Sequence, residues 1–251
     1  MSSTTVADAS EGPLAGRTAL ITGASRGIGA ECARLLHAAG ARLILLGRDS
    51  TALDKLTRSL PGKGAAVRVE KADLGDSADV ARVVQALSGA FDEAPDIIIN
   101  NAGHFFLAAA DETSLEDFAR TLQVNVTAPF AIVRELLPAL KQRKRGHIVT
   151  IGSIADRSVF PGNVAYAASK HAVRAMHEVL REELRGTGVR TTLVSPGPTD
   201  TDLWNAVNPD EREGFTKRAD MLPASAVAAA VMYAITCPAN VNVDELRISR
   251  S

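Results

Sequence analysis

Aromatic residues are scarce in this chain of 251 residues, which contains one Trp, two Tyr and seven Phe. A protein that stacks bases on exposed rings needs more of them, so this class of nucleic-acid binder is not expected. An excess of one charge is lacking as well, because 28 Lys and Arg stand against 29 Asp and Glu, a formal net charge of −1. That balance favours neither nucleic acid nor an anionic membrane as a partner.

Cysteines and long apolar runs are also in short supply. The two cysteines, Cys32 and Cys237, form neither a disulfide framework nor a CxxC metal pair, which indicates a reducing compartment. No run of apolar residues is long enough for a transmembrane helix. Residues 1–13 lack the basic and apolar regions of a signal peptide, and their small polar side chains predict a disordered tail. We therefore expect a cytoplasmic protein with no metal site and no membrane or nucleic-acid partner.

Short apolar runs alternate with helical patterns from residue 17 onward. Strands are predicted over residues 18–22, 43–46, 65–72, 97–99, 147–151, 189–194 and 245–248, and helices over 28–39, 49–60, 80–87, 115–140, 164–185 and 224–236. Most of the strands are continuously apolar, which is typical of a parallel sheet covered by helices on both faces. The sequence predicts one doubly wound α/β domain of about seven strands over residues 14–251.

A glycine-rich turn joins the first strand to the first helix. It holds Gly23, Gly27 and Gly29 at the spacing GxxxGxG, which differs from the GxGxxG of the common dinucleotide fingerprint. Glycines at such a turn admit positive φ and let the backbone approach a pyrophosphate, while the helix N-terminus supplies N–H donors. We expect a dinucleotide to bind at this turn.

The residues after the second strand bear on the choice of dinucleotide. An acidic side chain there would bind the ribose hydroxyls of NAD, but this chain has Arg48, and the glycine turn adds Arg26. Two guanidinium groups suit a 2′-phosphate, so NADP is favoured, although both arginines could also be ordinary solvated side chains. Asp49, one residue further on, could serve NAD instead.

Tyr166 and Lys170 lie four residues apart near the start of a predicted helix, on one face. A free phenol has a pKa of about 10, and a neighbouring ammonium would lower it toward the range in which a tyrosine acts as an acid and base at neutral pH. Because such a pair is common by chance, taken alone it favours a surface lysine beside a core tyrosine.

Six ordered motifs together resemble the short-chain dehydrogenase/reductase family, and the likeness covers nearly the whole chain after the tail. They are the TGASRGIG turn, NNAG at 100–103, LQVNVTAPF with Asn125, IGSIA with Ser153, YAASK at 166–170 and PGPTDTDL at 196–203. Ser153 precedes Tyr166 by the separation usual in the family, and the chain does not depart from the family at any catalytic position.

The resemblance implies hydride transfer between a nicotinamide and a carbonyl or alcohol carbon. Tyr166 would donate the proton in reduction, and Lys170 would lower its pKa and hold the nicotinamide ribose. Ser153 would orient the carbonyl, and Asn125 would bind a water that relays protons to Lys170.

The same resemblance implies the residues that hold NADP(H). They are Gly23, Ser25, Arg26, Gly27, Ile28, Gly29, Arg48, Asp73, Leu74, Asn100, Ala102, Gly103, Tyr166, Lys170, Pro196, Gly197, Thr199 and Thr201.

The leading functional hypothesis is an NADP-dependent reductase of a ketone, aldehyde or 3-oxoacyl group, similar to 3-oxoacyl-carrier-protein reductases and carbonyl reductases. An NAD-dependent alcohol or sugar-alcohol dehydrogenase is the alternative within the same class. A dinucleotide-binding regulator without turnover is a third hypothesis, which the complete set of catalytic residues disfavours.

Residues 203–222 are predicted to form a lid that chooses the substrate. Trp204 in this segment either walls the pocket or packs the lid onto the core. His104 is the one rival acid, whereas packing is expected of Phe105 and Phe106. From the resemblance we also expect a homotetramer or dimer paired through the helices at 115–140 and 164–185.

Overall fold

A computed structural model describes residues 12–61, 65–87 and 94–251 of the chain. Most of the tail predicted over residues 1–13 lies outside this range. The described chain contains the strands β1 (Thr18–Thr22), β2 (Arg42–Gly47), β3 (Val67–Lys71), β4 (Ile97–Asn100), β5 (Gly146–Ile151), β6 (Val189–Pro196), β7 (Thr199–Asp200), β8 (Leu222–Pro223) and β9 (Glu245–Ile248). Its α-helices are α1 (Gly27–Ala38), α2 (Ser50–Ser59), α3 (Ser77–Leu87), α4 (Leu115–Leu122), α5 (Ala128–Gln142), α6 (Val164–Glu183) and α7 (Ala224–Thr236).

Seven strands form one parallel sheet in the order β3-β2-β1-β4-β5-β6-β9. The order reverses between β1 and β4, the point at which doubly wound sheets open a crevice at the carboxyl ends of their strands. This arrangement confirms the predicted α/β class and strand number.

Successive side chains of the central strands point to opposite faces of the sheet, and both faces are covered. In β4, Ile97 and Ile99 pack into the core that includes α1 and α7, while Ile98 packs into the core that includes α3 and α5. All three are fully buried. Burial on both faces is the physical reason that these strands are continuously apolar rather than alternating.

The prediction of a single long helix over residues 115–140 is wrong. The segment forms α4, a π-helical turn at Gln123–Thr127, and then α5, which has Pro129 in its first turn. The amide of Ala128 donates to the carbonyl oxygen of Gln123, five residues earlier, and the junction residues keep helical dihedrals. The chain therefore stays helical throughout, and what changes at Gln123–Thr127 is the hydrogen-bond pattern, just before Pro129, which has no amide hydrogen to donate.

The segment predicted as a lid contains three short 3₁₀ turns, Asp202–Trp204, Pro209–Glu211 and Arg218–Asp220. The two-residue strands β7 and β8, which were not predicted, pair at its two ends. None of the helices in the described part of the chain is long and apolar enough to cross a membrane. The same residues contain no group of three or more His, Cys, Asp or Glu side chains that could hold a metal ion.

Candidate active site

A cavity of about 1520 Å³ lies at the carboxyl ends of the parallel strands. The residue directly after each of the first six strands lines it: Gly23, Arg48, Ala72, Asn101, Gly152 and Gly197. The sheet therefore delivers six separate segments of the chain to one crevice, at the place where the strand order predicts a binding site.

The glycine turn after β1 has no room for side chains. A Cβ on Gly23, which has a φ of +63°, would lie 2.8 Å from Cα of Ala102, and a Cβ on Gly29 would lie 2.4 Å from the carbonyl oxygen of Gly23. The turn leads directly into the N-terminus of α1, where unpaired amides favour an anion. The bare backbone and the helix N-terminus fit a dinucleotide pyrophosphate.

Three charged side chains near the ends of β1 and β2 bear on the choice between NADP and NAD. Arg48 lines the cavity and makes no hydrogen bond within the described residues, whereas Arg26 Nη1 lies 3.5 Å from Oδ2 of Asp202. The Asp49 carboxylate accepts a hydrogen bond of 3.0 Å from the amide of Ala52 and caps the N-terminus of α2. Both Asp49 and Arg48 line the cavity, and Oδ1 of Asp49 is engaged by the backbone, whereas the guanidinium of Arg48 makes no such bond in the described part of the chain.

Asp73, after β3, is held by a cavity residue that the sequence did not indicate. Nη2 of Arg120 donates to Oδ2 of Asp73 at 3.1 Å, and the amide of Gly75 donates to its Oδ1 at 2.9 Å. Partial burial raises the pKa of Asp73, but these two donors outweigh it and hold that pKa below its usual value. Arg120 comes from α4, far away in the chain, and no local pattern marks it.

Ser153, Tyr166 and Lys170 meet on one side of the cavity. The Ser153 hydroxyl lies close enough to the Tyr166 phenol to lower its pKa, and it accepts from the amide of Ala155 at 3.1 Å. Nζ of Lys170 lies 5.5 Å from the centroid of the Tyr166 ring and donates to the carbonyl oxygen of Ile151 at 2.9 Å. The structure thus brings together the three residues predicted to carry the chemistry.

The pKa values of the tyrosine and the lysine differ from the expectation. Burial raises the pKa of Tyr166 to about 12, the hydrogen bond from Ser153 opposes the rise, and the Asp156 carboxylate adds to it. Burial lowers the pKa of Lys170 to about 8, and Asp156 limits that fall. Lys170 is therefore neutral before the phenol would ionise, so the expected lowering of the Tyr166 pKa by its ammonium is not seen in this structure.

Asn125, in the π-turn, connects three segments through its buried side chain. Its Oδ1 accepts from the His104 amide at 2.7 Å, and its Nδ2 donates to the His104 carbonyl oxygen at 3.0 Å and to Oγ of Ser169 at 2.9 Å. Ser169 Oγ in turn donates to the backbone oxygen of Tyr166 at 2.7 Å. Asn125 thereby ties the loop after β4 to the helix that bears Tyr166.

Most of the predicted cofactor residues line the cavity. Those that do are Gly23, Ser25, Arg26, Gly27, Ile28, Arg48, Asp73, Leu74, Ala102, Gly103, Tyr166, Lys170, Pro196, Gly197, Thr199 and Thr201. Gly29 lies behind the turn, and Asn100 is buried at the end of β4 with an amide that makes no hydrogen bond within the described residues. Asn100, predicted to hold the cofactor, does not line the cavity, whereas the next residue, Asn101, does.

Aromatic side chains complete the cavity beside Tyr166. Phe105 and Trp204 both line it, so Trp204 walls the cavity while also packing against neighbouring rings. Nδ1 of His104 lies 3.0 Å from Oγ1 of Thr121, a partner that the sequence did not reveal. Burial, with the charges of Arg120 and Arg48, holds the pKa of His104 below its usual value.

Comparisons with known proteins agree with this geometry. The family model described as short chain dehydrogenase matches residues 17–212. The chain is 38% identical over 198 residues to dehydrogenase/reductase SDR family member 7B of Rattus norvegicus, a match that covers 76% of this chain and 61% of that relative's length. It is 32% identical over 235 residues to an uncharacterized oxidoreductase of Staphylococcus aureus, covering 94% and 97% of the two chains. Among solved structures, a metagenomic short-chain oxidoreductase in complex with NADP matches with a TM-score of 0.81 and 29% identity, covering 95% of this chain and 99% of that one.

Proposed function

The chain belongs to the short-chain dehydrogenase/reductase family, and from that premise we propose that it is an NADP-dependent reductase of a ketone, aldehyde or 3-oxoacyl group. The observation that carries the proposal is the position of the Ser153–Tyr166 pair. It lies beside buried Lys170 in the same cavity as a glycine turn that has no space for a Cβ. A proton donor and a pyrophosphate site thus share one crevice.

Tyr166 acts as the proton donor in this proposal. With a pKa of about 12 it keeps its proton throughout the neutral range, so it can give that proton to the oxygen of a carbonyl as the oxygen becomes negative. The Ser153 hydroxyl, which lies beside the phenol, orients the same oxygen. A reduced nicotinamide held in this cavity would supply the hydride for the carbonyl carbon and would itself be oxidised.

Lys170 and Asn125 support the proton donor. With a pKa of about 8, Lys170 is mostly charged at pH 7 and can return a proton to the tyrosinate through solvent. We propose that the water predicted beside Asn125 completes this path. Asn125 also holds the Ser169 hydroxyl that bonds the backbone of Tyr166, so it positions the acid as well.

NADP is favoured over NAD by the side chains at the end of β2. Arg48 offers an unengaged guanidinium to the cavity, while the carboxylate that could have bound ribose hydroxyls, Asp49, is engaged as the cap of α2. The solved relative that contains NADP supports the same choice. Arg26 would join Arg48 at the phosphate by leaving its exposed pair with Asp202.

The test is a rate comparison with purified protein and a panel of ketones, aldehydes and oxoacyl compounds. We expect NADPH to be oxidised at least about tenfold more efficiently than NADH, and the Arg48→Leu variant to lose most of that preference. Tyr166→Phe, which removes the proton donor and keeps the ring, should abolish most turnover while leaving NADPH binding intact. Full turnover by that variant would refute the mechanism, and a preference for NADH would favour the NAD-dependent dehydrogenase.

We further propose that the protein is a cytoplasmic homotetramer or dimer that pairs through α4, α5 and α6. Large apolar side chains are exposed on these helices, among them Leu115 at 89%, Phe130 at 49% and Val179 at 57%. Burial in an oligomer would remove them from water. Both cysteines are free, which supports a reducing compartment.

A further inference from the structure

Four aromatic rings are in contact in a row that begins at Tyr166. The Phe105 ring meets the Tyr166 ring edge-on with the centroids 4.8 Å apart, and Trp204 meets Phe105 at 5.0 Å. Phe215 follows, 6.5 Å from Trp204. All four rings line the cavity, in a chain with only ten aromatic residues. We call Phe105, Trp204 and Phe215 the aromatic wall.

The wall presents hydrocarbon to the cavity and is held in place. Nε1 of Trp204, the one polar atom of the indole, donates to the carbonyl oxygen of Thr199 at 3.0 Å and is not available to a ligand. Edge-to-face packing fixes the ring planes relative to one another. A ligand at this wall therefore meets preorganised apolar surface rather than hydrogen-bonding groups.

Further apolar side chains line the same cavity although water reaches them. Phe160 is 48% exposed and Leu203 is 38% exposed, and Leu107 lies on the loop that carries Phe105. A bridge between Ala108 and Asn163 joins that loop to the segment before α6. Apolar surface left open around a pocket is typical of a site that buries an apolar ligand.

The cations of the 205–221 segment are already engaged. Nζ of Lys217 lies within hydrogen-bonding distance of three backbone carbonyl oxygens, and Nη1 of Arg218 donates to Oδ1 of Asp200 at 2.6 Å. The guanidinium of Arg212 lies 5.9 Å from the centroid of Phe215. None of these three side chains lines the cavity.

The charged groups that do line the cavity on the connection between β7 and β8 are carboxylates, Asp202 and Glu213. The cations of the lining have other partners or lie elsewhere. Arg26 is paired with Asp202, buried Lys170 donates to the carbonyl oxygen of Ile151, and Arg120 bonds to Asp73, while Arg48 follows β2 on the other side of β1. An anionic group placed at the aromatic wall would thus meet the Glu213 carboxylate, and the cations nearest to the wall, Arg26 and Lys170, already have partners. The wall favours a neutral substrate.

From these contacts, and resting on the proposed carbonyl reduction, we propose that the aromatic wall binds the apolar group attached to the carbonyl and that the substrate is a neutral aryl ketone or aldehyde. The wall begins at the ring of the proposed proton donor, so a flat group packed on Phe105 and Trp204 places its attached carbonyl beside the Tyr166 phenol. Among the substrates proposed above, this inference selects against charged 3-oxo acids.

The first experiment measures kcat/KM of the NADPH-saturated enzyme for acetophenone, octan-2-one and 3-oxobutanoate. The first two have the same number of carbon atoms, so they differ in ring character, and the third adds a negative charge. We expect acetophenone to exceed each of the others by at least about tenfold.

The second experiment removes the wall. Trp204→Leu and Phe105→Leu should each lower kcat/KM for acetophenone about tenfold or more and change the value for butan-2-one, which is too small to reach the wall fully, by less than about threefold. Phe106→Leu is the matched control, because Phe106 lies on the same loop but does not line the cavity. It should leave both values unchanged.

A binding measurement separates the wall from turnover. Trp204 is the only tryptophan of the chain, so its fluorescence reports on the wall alone. Titration with 1-phenylethanol should change the emission saturably, whereas octan-2-ol should saturate only at higher concentration.

Equal or better turnover of octan-2-one or 3-oxobutanoate, or unchanged acetophenone kinetics in both wall variants, would overturn the substrate inference and leave the proposed reduction standing. Saturable binding of 1-phenylethanol without reduction of any carbonyl would support the wall and overturn the proposed function.

Discussion

Asp156 lies close enough to Tyr166 and Lys170 for its charge to raise the pKa of both, and it was not singled out by any sequence pattern. Its side chain is fully buried in the 3₁₀ turn that follows Ser153. Ser195 Oγ donates to its Oδ2 at 2.5 Å, and Nε of Arg157 donates to its Oδ1 at 2.7 Å. The perturbation that isolates its charge is Asp156→Asn, which keeps the shape of the side chain and its capacity to accept one hydrogen bond.

The loss of stability caused by Asp156→Asn depends on the partners that Arg157 keeps. Breaking a buried ion pair by removing one member costs about 3–5 kcal/mol, because the other charge is left without compensation. Arg157 keeps its contact with Oε1 of Glu245 at 2.5 Å and is 22% exposed, so part of the compensation survives. We expect Asp156→Asn to lower the free energy of unfolding by about 2–3 kcal/mol, measured by urea denaturation at pH 7.

The same variant should change the pH dependence of reduction. The Asp156 carboxylate raises the pKa of Lys170, which burial lowers to about 8, so removing it lowers that pKa further. Lys170 must be protonated to return a proton to Tyr166, hence activity in reduction falls as pH rises through the Lys170 pKa. The alkaline limb of log kcat/KM should therefore move to lower pH, by roughly half to one unit for one charge in a partly polar interior.

Glu245→Gln supplies the control for both readouts. It removes the other partner of Arg157 but leaves the Asp156 charge beside Lys170. Its ion pair is partly solvated, so we expect a loss of about 1 kcal/mol or less and no displacement of the alkaline limb. An unmoved or upward-moving limb in Asp156→Asn, or an equal displacement in Glu245→Gln, would refute the reasoning.

Two further predictions concern the glycine turn and a buried histidine. Gly29→Ala would put a Cβ 2.4 Å from a backbone oxygen, and it should lower the free energy of unfolding in urea by about 3 kcal/mol and remove most of the NADPH affinity. Gly186→Ala is the control, because Gly186 has a φ of +76° and nothing within 4 Å of its added Cβ; it should cost about 1 kcal/mol and leave NADPH binding unchanged. Equal effects of the two variants would contradict this prediction. Burial lowers the pKa of His147 to about 3, so between pH 6.5 and pH 3 the unfolded chain binds more protons than the folded one, and stability falls as pH falls. His147→Gln should flatten that decline in urea titrations from pH 7 to pH 4, and an unchanged slope would count against it.

The elements that the sequence predicted well are those with local signals. The first strand and the helix at Ala224–Thr236 begin and end where they were expected, since a glycine follows the one and a proline precedes the other. The fold class followed from the same apolar runs. In the site, the glycine turn and the Ser153, Tyr166 and Lys170 constellation could be predicted because each is carried by a short motif.

What could not be predicted depends on contacts between distant parts of the chain. The π-turn within the 115–142 region places Asn125 against His104, 21 residues away, and no periodicity reports such a bond. The prediction that the pKa of Tyr166 is lowered was wrong for a related reason. The four-residue spacing to Lys170 is visible in the sequence, but the burial that dominates both pKa values is a property of the packed site.

The cavity combines two chemistries because the sheet and its connections contribute differently. The residues that directly follow β1 and β2 bring a bare backbone and the cation of Arg48 to one side, which suits a phosphorylated dinucleotide. The aromatic wall comes instead from the connections after β4 and after β7, outside the sheet itself. Strand ends are placed by the core and cannot move without disturbing it, whereas connections can change side chains at little cost in stability. Cofactor and reaction class should therefore follow from the fold, and substrate choice from Phe105, Trp204 and Phe215.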